Sequence, residues 1–243
     1  MEISYSIEYS AVCSRGKARK QNQDKIFIQN CDLIKNSAEI NLCGTIEFDN
    51  NEVLAVFDGM GGEEFGETAS QIAVETISIK ASESKINLEK VCMAINDEIC
   101  RYMESEDIFR MGSTAAIVSV DKKLHICNIG DSRIYRISNN EIKQLSVDHT
   151  AIIGKYHKRR VLKQHLGIPK KEMVIEPFSD DINYTENDIF LICSDGLTDM
   201  LSDEEILEQS VNLKISVLAK KLFDKAVENG GKDDISIITF KVV

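Results

Sequence analysis

The sequence predicts an α+β fold in which two largely antiparallel sheets are flanked by helices. Short apolar segments separated by turn residues fill positions 113–146, which is typical of antiparallel strands. Apolar residues recur at helical spacing over 68–80, 87–104 and 214–228, and these segments are segregated from the strand block. The chain of 243 residues has two Pro and no low-complexity linker, which favours a single domain over residues 1–243.

The N-terminal part of the chain is predicted to form strands joined by polar segments. Residues 3–12 alternate loosely between apolar and polar side chains, and a basic, polar loop follows over 14–24. Residues 31–51 predict a strand, a loop and a second strand. The continuous apolar run 53–57 predicts a buried strand that ends in a tight turn at Asp58, because three glycines follow within four residues.

The remaining elements follow from caps and periodicity. Asn87 is the expected N-cap of the second helix, and both helices after the central run are amphipathic. Asn139 and Asn140 predict a hairpin turn. Ser202 is expected to cap a further helix with an acidic first turn. After the first two helices, the predicted strands are 113–120, 124–129, 134–137, 141–146, the apolar run before Asp195, and 235–242.

Composition argues against several functions. The formal net charge of −11 disfavours non-specific binding to nucleic acid or to an anionic membrane surface. The seven Cys are odd in number and form no CxxC pair, which indicates reduced thiols. The N-terminus lacks a signal-peptide pattern, and no apolar run approaches the length of a membrane span. We therefore expect a cytoplasmic protein with no nucleic-acid or membrane partner.

Acidic residues recur at the ends of the predicted strands. These positions lie far apart in the chain and are Asp24, Asp58, Asp195 and the pair Asp233 and Asp234. A single Asp-Gly after a strand is more often a hairpin turn, but repetition of the pattern favours a shared site. Oxygen ligands without ligand-type His or Cys spacing point to Mg²⁺ or Mn²⁺. In the acidic stretch near Asp195, Asp199 is the other residue that we assign to chemistry.

Other charged residues have two interpretations each. Arg19 lies in a solvated loop, or it lies beside Asp24 and grips a phosphate with two donors. Asp131 and Arg133 are best explained as supports of a tight turn. A basic cluster is either a solvated face or a rim that attracts an anionic substrate; its members are Lys155, His157, Lys158, Arg159, Arg160 and Lys163.

Seven short motifs carry a resemblance to a known family. They are Arg19-x-x-Asn-Gln-Asp24, Asp58-Gly-Met-Gly-Gly62, Gly112-Ser-Thr114, Gly130-Asp-Ser-Arg133, Asp148-His149, Ser194-Asp-Gly-Leu-x-Asp199 and Gly230-Gly-x-Asp-Asp234. In this order, and over nearly the whole chain, they resemble the metal-dependent serine/threonine phosphatases of the protein phosphatase 2C type in their compact bacterial form.

The resemblance implies a four-layer α-β-β-α sandwich with two Mn²⁺ or Mg²⁺ ions between its two mostly antiparallel sheets. Asp58 would bridge both ions, and the Gly59 carbonyl, Asp195 and Asp233 would complete the ligand set. Asp24 would act through metal-bound water, and Arg19 would bind the substrate phosphate. A metal-bridging hydroxide would then attack phosphorus directly, with no phosphoenzyme.

The chain departs from the family pattern at several positions. Met60 stands where many eukaryotic members have a His general acid, and Glu63 where bacterial relatives commonly have His. Asp234 replaces the usual Asn and adds negative charge. Phe109 occupies the position of a third-metal Asp, although Asp107 and Asp199 leave a third site open. The segment at about 150–172, which corresponds to the family's flap, is short.

The implied partners are phosphorylated protein substrates, made by a serine/threonine kinase, and the implied state is a monomer. Two other functions are compatible with the residues. One is a phosphatase-like binding or regulatory module with weak or no turnover, which an incomplete ligand set would indicate. The other is a Mg²⁺-dependent enzyme that acts on small phosphoesters, which poor activity on phosphoproteins would indicate.

Overall fold

The fold is described here from a computed structural model. It covers residues 5–31, 39–60, 65–83, 86–154 and 159–243, with Arg159 and Arg160 described by backbone alone. The helices are α1 (Phe65–Lys80), α2 (Leu88–Ser105), α3 (Asp195–Thr198), α4 (Asp203–Ser210) and α5 (Ile215–Glu228). The strands are β1 (Tyr5–Ser14), β2 (Asp24–Ile28), β3 (Ile40–Phe48), β4 (Glu52–Met60), β5 (Gly112–Ser113), β6 (Ala115–Val120), β7 (Leu124–Ile129), β8 (Arg133–Ser138), β9 (Glu141–Gln144), β10 (Thr150–Ile153), β11 (Arg159–Leu162), β12 (Phe178–Ile182), β13 (Ile189–Cys193) and β14 (Ile235–Val242).

Two large sheets and one small sheet organise the described residues. The first large sheet has the strand order β3-β1-β14-β13-β8-β9. The second has the order β12-β7-β6-β4-β2, with β5 paired to the end of β4. Strands β10 and β11 form a separate two-stranded sheet. Every pairing in these sheets is antiparallel, as the strand patterns of the sequence predict.

Three apolar clusters show that the layers stack as helix, sheet, sheet, helix. The inner faces of the two large sheets pack together through side chains such as Ile238 of β14 and Val56 of β4. Helices α1 and α2 cover the outer face of the second sheet. Helices α4 and α5 cover the outer face of the first. The predicted four-layer α-β-β-α sandwich is therefore confirmed.

Local signals explain most element boundaries. The Asn87 side chain accepts a hydrogen bond from the Lys90 amide and caps α2. Ser202 forms a complete capping box with Glu205 at the start of α4. Asn139 and Asn140 have φ of 53° and 59°, the left-handed conformation that a two-residue hairpin turn requires. All three features agree with the sequence prediction.

Other expectations need correction. Strand β4 does not end at Asp58 but continues to Met60, because Gly59 and Met60 pair with β5. The next described element is helix α1, so the hairpin interpretation of Asp58-Gly59 is wrong. The single strand predicted over 113–120 is divided into β5 and β6. Within the described ranges, none of the helices is long and apolar enough to cross a membrane.

Candidate active site

Alternation along the strands brings acidic residues to one end of the core between the sheets. On β4, Leu54 and Val56 belong to the inner core, and Asp58 is the next residue of that face. On β2, Ile26 belongs to the same core, and Asp24 continues its face. Alternate residues of a strand lie on one face, so the face that is apolar within the core carries an acidic residue where the core ends.

Asp24 and Asp58 lie directly opposite each other in the ladder between β2 and β4. Directly opposed residues of an antiparallel pair share one face, so two carboxylates are close neighbours, which is unfavourable without a compensating group. Asp24 is 1% exposed, and its Oδ2 accepts a hydrogen bond of 2.7 Å from the Ser194 hydroxyl of the other sheet. The Asp58 amide donates to the Thr114 hydroxyl at 3.1 Å.

Gly59 is required by a close approach of backbone. A Cβ atom at this position would lie 2.0 Å from the carbonyl oxygen of Gly66 on α1 and 2.7 Å from that of Gln23. The Gly59 amide donates to the same Gln23 carbonyl at 3.2 Å. The glycine therefore lets α1 and the segment before β2 meet at the end of β4.

Asp195 and Asp199 lie at the two ends of the short helix α3. The Asp199 amide donates to the Asp195 carbonyl at 2.8 Å, as in a regular helical turn. Residues four apart share a helix face, so both carboxylates point the same way. The Oδ1 atom of Asp195 is buried and has no hydrogen-bond partner among the described residues. Such an orphaned buried acceptor points to a group that completes the site.

A cavity of about 690 Å³ joins these residues. Its acidic lining comes from distant parts of the chain and consists of Asp58, Asp131, Asp195, Asp199 and Asp233. Gly59 and Met60 also line it, as do the cationic residues Arg19, Lys20 and Arg110. Asp24 is not part of the lining but lies buried beside it, opposite Asp58.

Arg19 forms a two-bond ion pair with Asp233 at the edge of the cavity. Its Nε donates to Oδ1 at 2.7 Å, and its Nη2 donates to Oδ2 at 2.5 Å. The Arg19 side chain is 45% exposed, so one side of the guanidinium remains accessible to solvent. This position beside a carboxylate suits the second interpretation of Arg19, and the carboxylate that Arg19 contacts is that of Asp233.

Burial and mutual repulsion disfavour ionisation of the acidic cluster. Burial raises the pKa of Asp58 well above its ordinary value, and the charges of Asp24, Asp195, Asp233 and Asp131 raise it further. Burial also raises the pKa of Asp24 and of Asp195. A cation placed in this cavity would reverse the effect, because it would favour the charged form of every carboxylate around it.

The oxygen atoms that line the cavity suit a hard cation, although their side chains are not arranged around a single point. In the part of the chain that is described, no three His, Cys, Asp or Glu side chains are arranged to hold an ion as they stand. Carboxylates that repel one another spread around a cavity, and Asp233 is turned to Arg19. The oxygen-only lining and the orphaned Asp195 oxygen are nevertheless the chemistry that Mg²⁺ and Mn²⁺ require.

Asp234 fastens the loop that carries Arg19. Its Oδ1 accepts from the Gly16 amide at 3.1 Å and its Oδ2 from the Gln23 amide at 2.8 Å, so one carboxylate holds both ends of the loop. Asp234 is 3% exposed. A Cβ atom at Gly16 would lie 1.9 Å from the Asp233 carbonyl oxygen, so the loop packs directly on this backbone. The carboxylate of Asp234, which stands where the family usually has Asn, therefore serves to hold this loop in place.

Asp234→Ala should reduce the free energy of unfolding by about 1–3 kcal/mol, because two buried N–H groups lose their acceptor. Removal of a buried charge beside Asp233 offsets part of the cost. Asp234→Asn keeps one acceptor oxygen and should fall between Asp234→Ala and the wild type. Urea unfolding of the three proteins would measure this order, and an alanine variant as stable as the wild type would contradict it.

Sequence reasoning missed one acidic residue of the cavity lining. Asp131, which we assigned to a turn, also lines the cavity. It follows the strand β7 and Gly130, a strand-end signal like that of Asp58, and this signal could have found it. Arg133 has the predicted structural role, since its Nη2 binds Asp148 Oδ2 at 2.8 Å.

Some residues that the sequence singled out do not line the cavity, and others lie outside the described residues. The Phe109 side chain is fully exposed, and neither it nor Asp107 lines the cavity, whereas Asp199 does. The part of the chain outside the described residues includes Gly61, Gly62, Glu63, Lys155, His157 and Lys158. The small sheet of β10 and β11 contributes Val161 and Leu162 to the cavity wall.

Fold and site together define a class, that of two-sheet sandwiches with an acidic cavity where the core between the sheets ends. The chain belongs to the protein phosphatase 2C family, whose model matches residues 42–229. It is 31% identical to the serine/threonine phosphatase stp of Listeria monocytogenes serotype 4b, over 92% of this chain and 91% of that protein.

Solved structures agree with this assignment. The serine/threonine phosphatase PstP/Ppp of Mycobacterium tuberculosis has a TM-score of 0.79 and 25% identity, over 97% of this chain and 98% of that one. The catalytic domain of PstP in complex with two manganese ions has a TM-score of 0.77 and 26% identity, over 99% and 100% of the two chains.

Proposed function

We propose that this protein is a metal-dependent serine/threonine phosphoprotein phosphatase. The observation that carries the proposal is the cavity in which carboxylates from separate segments meet, with Arg19 at its edge. Family membership and the names of the relatives as serine/threonine phosphatases support the reaction class. The two manganese ions of the related catalytic domain support the cofactor.

In this proposal the acidic residues hold two Mn²⁺ or Mg²⁺ ions. The ligands would be Asp24, Asp58, the Gly59 carbonyl, Asp195 and Asp233, with Asp199 as an additional candidate. Such ions supply Lewis acidity, which lowers the pKa of a water toward neutrality and offsets phosphoryl charge. The orphaned oxygen of Asp195 and the raised pKa of Asp58 are the features that such a charge would satisfy.

The chain's own residues would orient the substrate and hold this arrangement. Arg19 presents a planar set of donors on a loop fixed by Asp234, and a phosphate with two free oxygens suits that geometry. Ser194 orients Asp24 through its hydrogen bond. Met60 lines the cavity and cannot donate a proton, so the leaving group would take its proton from water. Hydrolysis would be direct, with no phosphoenzyme.

A phosphatase-like binding module with weak turnover is the second candidate. It is favoured by the Arg19–Asp233 pair, since a carboxylate neutralised by Arg19 is a poorer metal ligand. The third candidate, an enzyme of small phosphoesters, differs from both in that it would hydrolyse small esters but act poorly on phosphoproteins.

Hydrolysis of p-nitrophenyl phosphate and of a phosphothreonine peptide, with Mn²⁺, Mg²⁺ or EDTA, would separate these functions. We expect activity with either ion and none with EDTA, since the carboxylates alone provide no nucleophile activation. Activity on the small ester with little on the peptide would support the third function. A folded protein that binds the peptide but turns over neither substrate would support the binding module.

Further features of the proposal concern the whole chain. We propose a single catalytic domain over residues 1–243, with a reduced flap at about 150–172, and the small hairpin of β10 and β11 supports this view. We also propose a monomer that acts on substrates of a serine/threonine kinase. A cytoplasmic location is supported by seven cysteines that are all free.

A further inference from the structure

The cavity has a second arginine, which lies on a segment of anchored backbone. Arg110 lies in the segment between α2 and β5 and lines the cavity. The next residue, Met111, is fully buried, and its amide donates to the Met103 sulfur at 3.3 Å. The Ile108 amide donates to the Met103 carbonyl at 2.9 Å. The backbone is therefore anchored on both sides of Arg110.

The neighbouring wall fixes the orientation of this segment. Ser113 and Leu166 exchange backbone hydrogen bonds of 3.1 and 2.8 Å, which tie β5 to the segment after β11. Burial lowers the pKa of His165, and the charge of Arg110 lowers it further. Val161 and Leu162 of β11 line the same cavity.

Arg110 differs from the other cationic residues of the cavity in that no partner for its charge is found among the described residues. Arg19 is paired with Asp233, and Lys20 interacts with other groups. The guanidinium of Arg110 has neither a hydrogen bond nor an ion pair with any residue in the described ranges. An exposed arginine that lines an acidic cavity, with no partner within the described ranges, is available to an incoming anion.

Charge also argues for a role at this position. A doubly charged phosphoryl group that approaches five carboxylates meets repulsion, and a cation at the cavity wall reduces it. The planar donors of arginine bind a carboxylate or a phosphate with two parallel hydrogen bonds. Phe109, where the family resemblance places an acidic metal ligand, is turned out of the cavity, so Arg110 gives this wall a positive charge instead.

We propose that Arg110 forms an anion-binding subsite that contacts either the substrate phosphoryl group or a carboxylate next to the phosphorylated residue. The inference rests on the proposed phosphatase function and names a substrate class for it, namely phosphopeptides whose anionic groups extend along the wall formed by Arg110, Val161 and Leu162.

The test compares Arg110→Ala and Arg110→Lys with Arg101→Ala. Arg101 is an exposed arginine of α2 that pairs with Glu98 and does not line this cavity, so its removal makes the same change in charge elsewhere. The substrates are p-nitrophenyl phosphate, a phosphothreonine peptide with neutral neighbours, and the same peptide with an adjacent Glu, all with Mn²⁺.

Arg110→Ala should raise KM by about 5- to 10-fold for the substrates that the subsite contacts. If the contact is to the peptide carboxylate, only the Glu-containing peptide is affected. If it is to the phosphoryl group, KM rises for all three substrates. Arg110→Lys should show a smaller effect, and Arg101→Ala none. Unchanged KM values for all three substrates with Arg110→Ala would overturn the proposal.

A binding measurement separates this inference from failure of the phosphatase function. If the wild type turns over no substrate, calorimetric titration with the Glu-containing phosphopeptide replaces the kinetics. If Arg110→Ala then binds the peptide more weakly than Arg101→Ala does, the anion-binding subsite is supported even though the phosphatase function has failed. Equal affinities, or no binding by the wild type, would reject it.

Discussion

Replacing Asp58 by Asn should lower Mn²⁺-dependent turnover by a factor on the order of 10³. Asp58 lies opposite Asp24 in the ladder and lines the cavity with Asp195 and Asp233, so in the proposed site it is the carboxylate that both ions share. An amide has nearly the same shape, but it offers one neutral oxygen in place of a charged pair. The loss should therefore fall on metal binding and on the chemistry that depends on it.

The same substitution should leave the metal-free protein at least as stable as the wild type. Burial and neighbouring carboxylates raise the pKa of Asp58, so its ionised form at neutral pH costs folding free energy. For a carboxyl group with a raised pKa, this cost is absent below pH about 4 and grows as the pH rises toward the folded-state value. The side-chain amide of the Asn variant cannot ionise, so the variant does not have this cost in folding free energy.

Thermal unfolding with and without Mn²⁺ would separate the two effects. Saturating ion at 100 times its dissociation constant should stabilise the wild type by about 2.7 kcal/mol, and the Asn variant by much less. Asp180→Asn serves as the control, because Asp180 is an exposed carboxylate of β12 that does not line the cavity. Full activity of Asp58→Asn would show that the two-ion assignment is wrong.

The acidic positions that line the cavity were predictable because each carries its own local signal. An apolar run that stops at an acidic residue marks Asp58 and Asp195, and an acidic pair before an apolar run marks Asp233. The period of two then determines that Asp58 continues the face of Leu54 and Val56. These residues could be assigned to one site from the sequence because every signal was repeated.

Contacts between distant segments were not predictable in the same way. Asp234 accepts hydrogen bonds from amides 218 and 211 residues away, and nothing near it in the sequence indicates that its partners are backbone groups. The contact of Arg19 with Asp233 joins residues 214 positions apart, and no local signal near either residue indicates it. Such pairings follow from the packing of the layers, which periodicity along one strand does not encode.

Arg19→Ala should weaken catalysis but strengthen Mn²⁺ binding. Because the two effects have opposite signs, this substitution tests the proposed site more sharply than Asp58→Asn. Loss of the guanidinium should lower kcat/KM for phosphorylated substrates by a factor on the order of 10²–10³, because the phosphoryl group loses a charged, two-donor partner. At the same time Asp233 loses the cation that Arg19 holds against its two oxygens at 2.7 and 2.5 Å. Its Oδ2 becomes available, and its Oδ1 keeps only the hydrogen bond from the Asp234 amide at 2.8 Å. Mn²⁺ should therefore bind more tightly to the variant than to the wild type.

Steady-state kinetics over a range of substrate concentrations and calorimetric titration with Mn²⁺ would measure both effects. Arg19→Lys keeps the charge without the planar donors, so its kcat/KM should lie between those of Arg19→Ala and the wild type. Arg101→Ala is the matched control, because Arg101 is an exposed arginine of α2 that pairs with Glu98 and does not line the cavity. Unchanged KM and turnover in Arg19→Ala would exclude Arg19 as the phosphate-binding residue. Weaker Mn²⁺ binding would instead show that Arg19 holds Asp233 in place for the ion, because the Arg19–Asp233 pair would then support the ligand set and not compete with it.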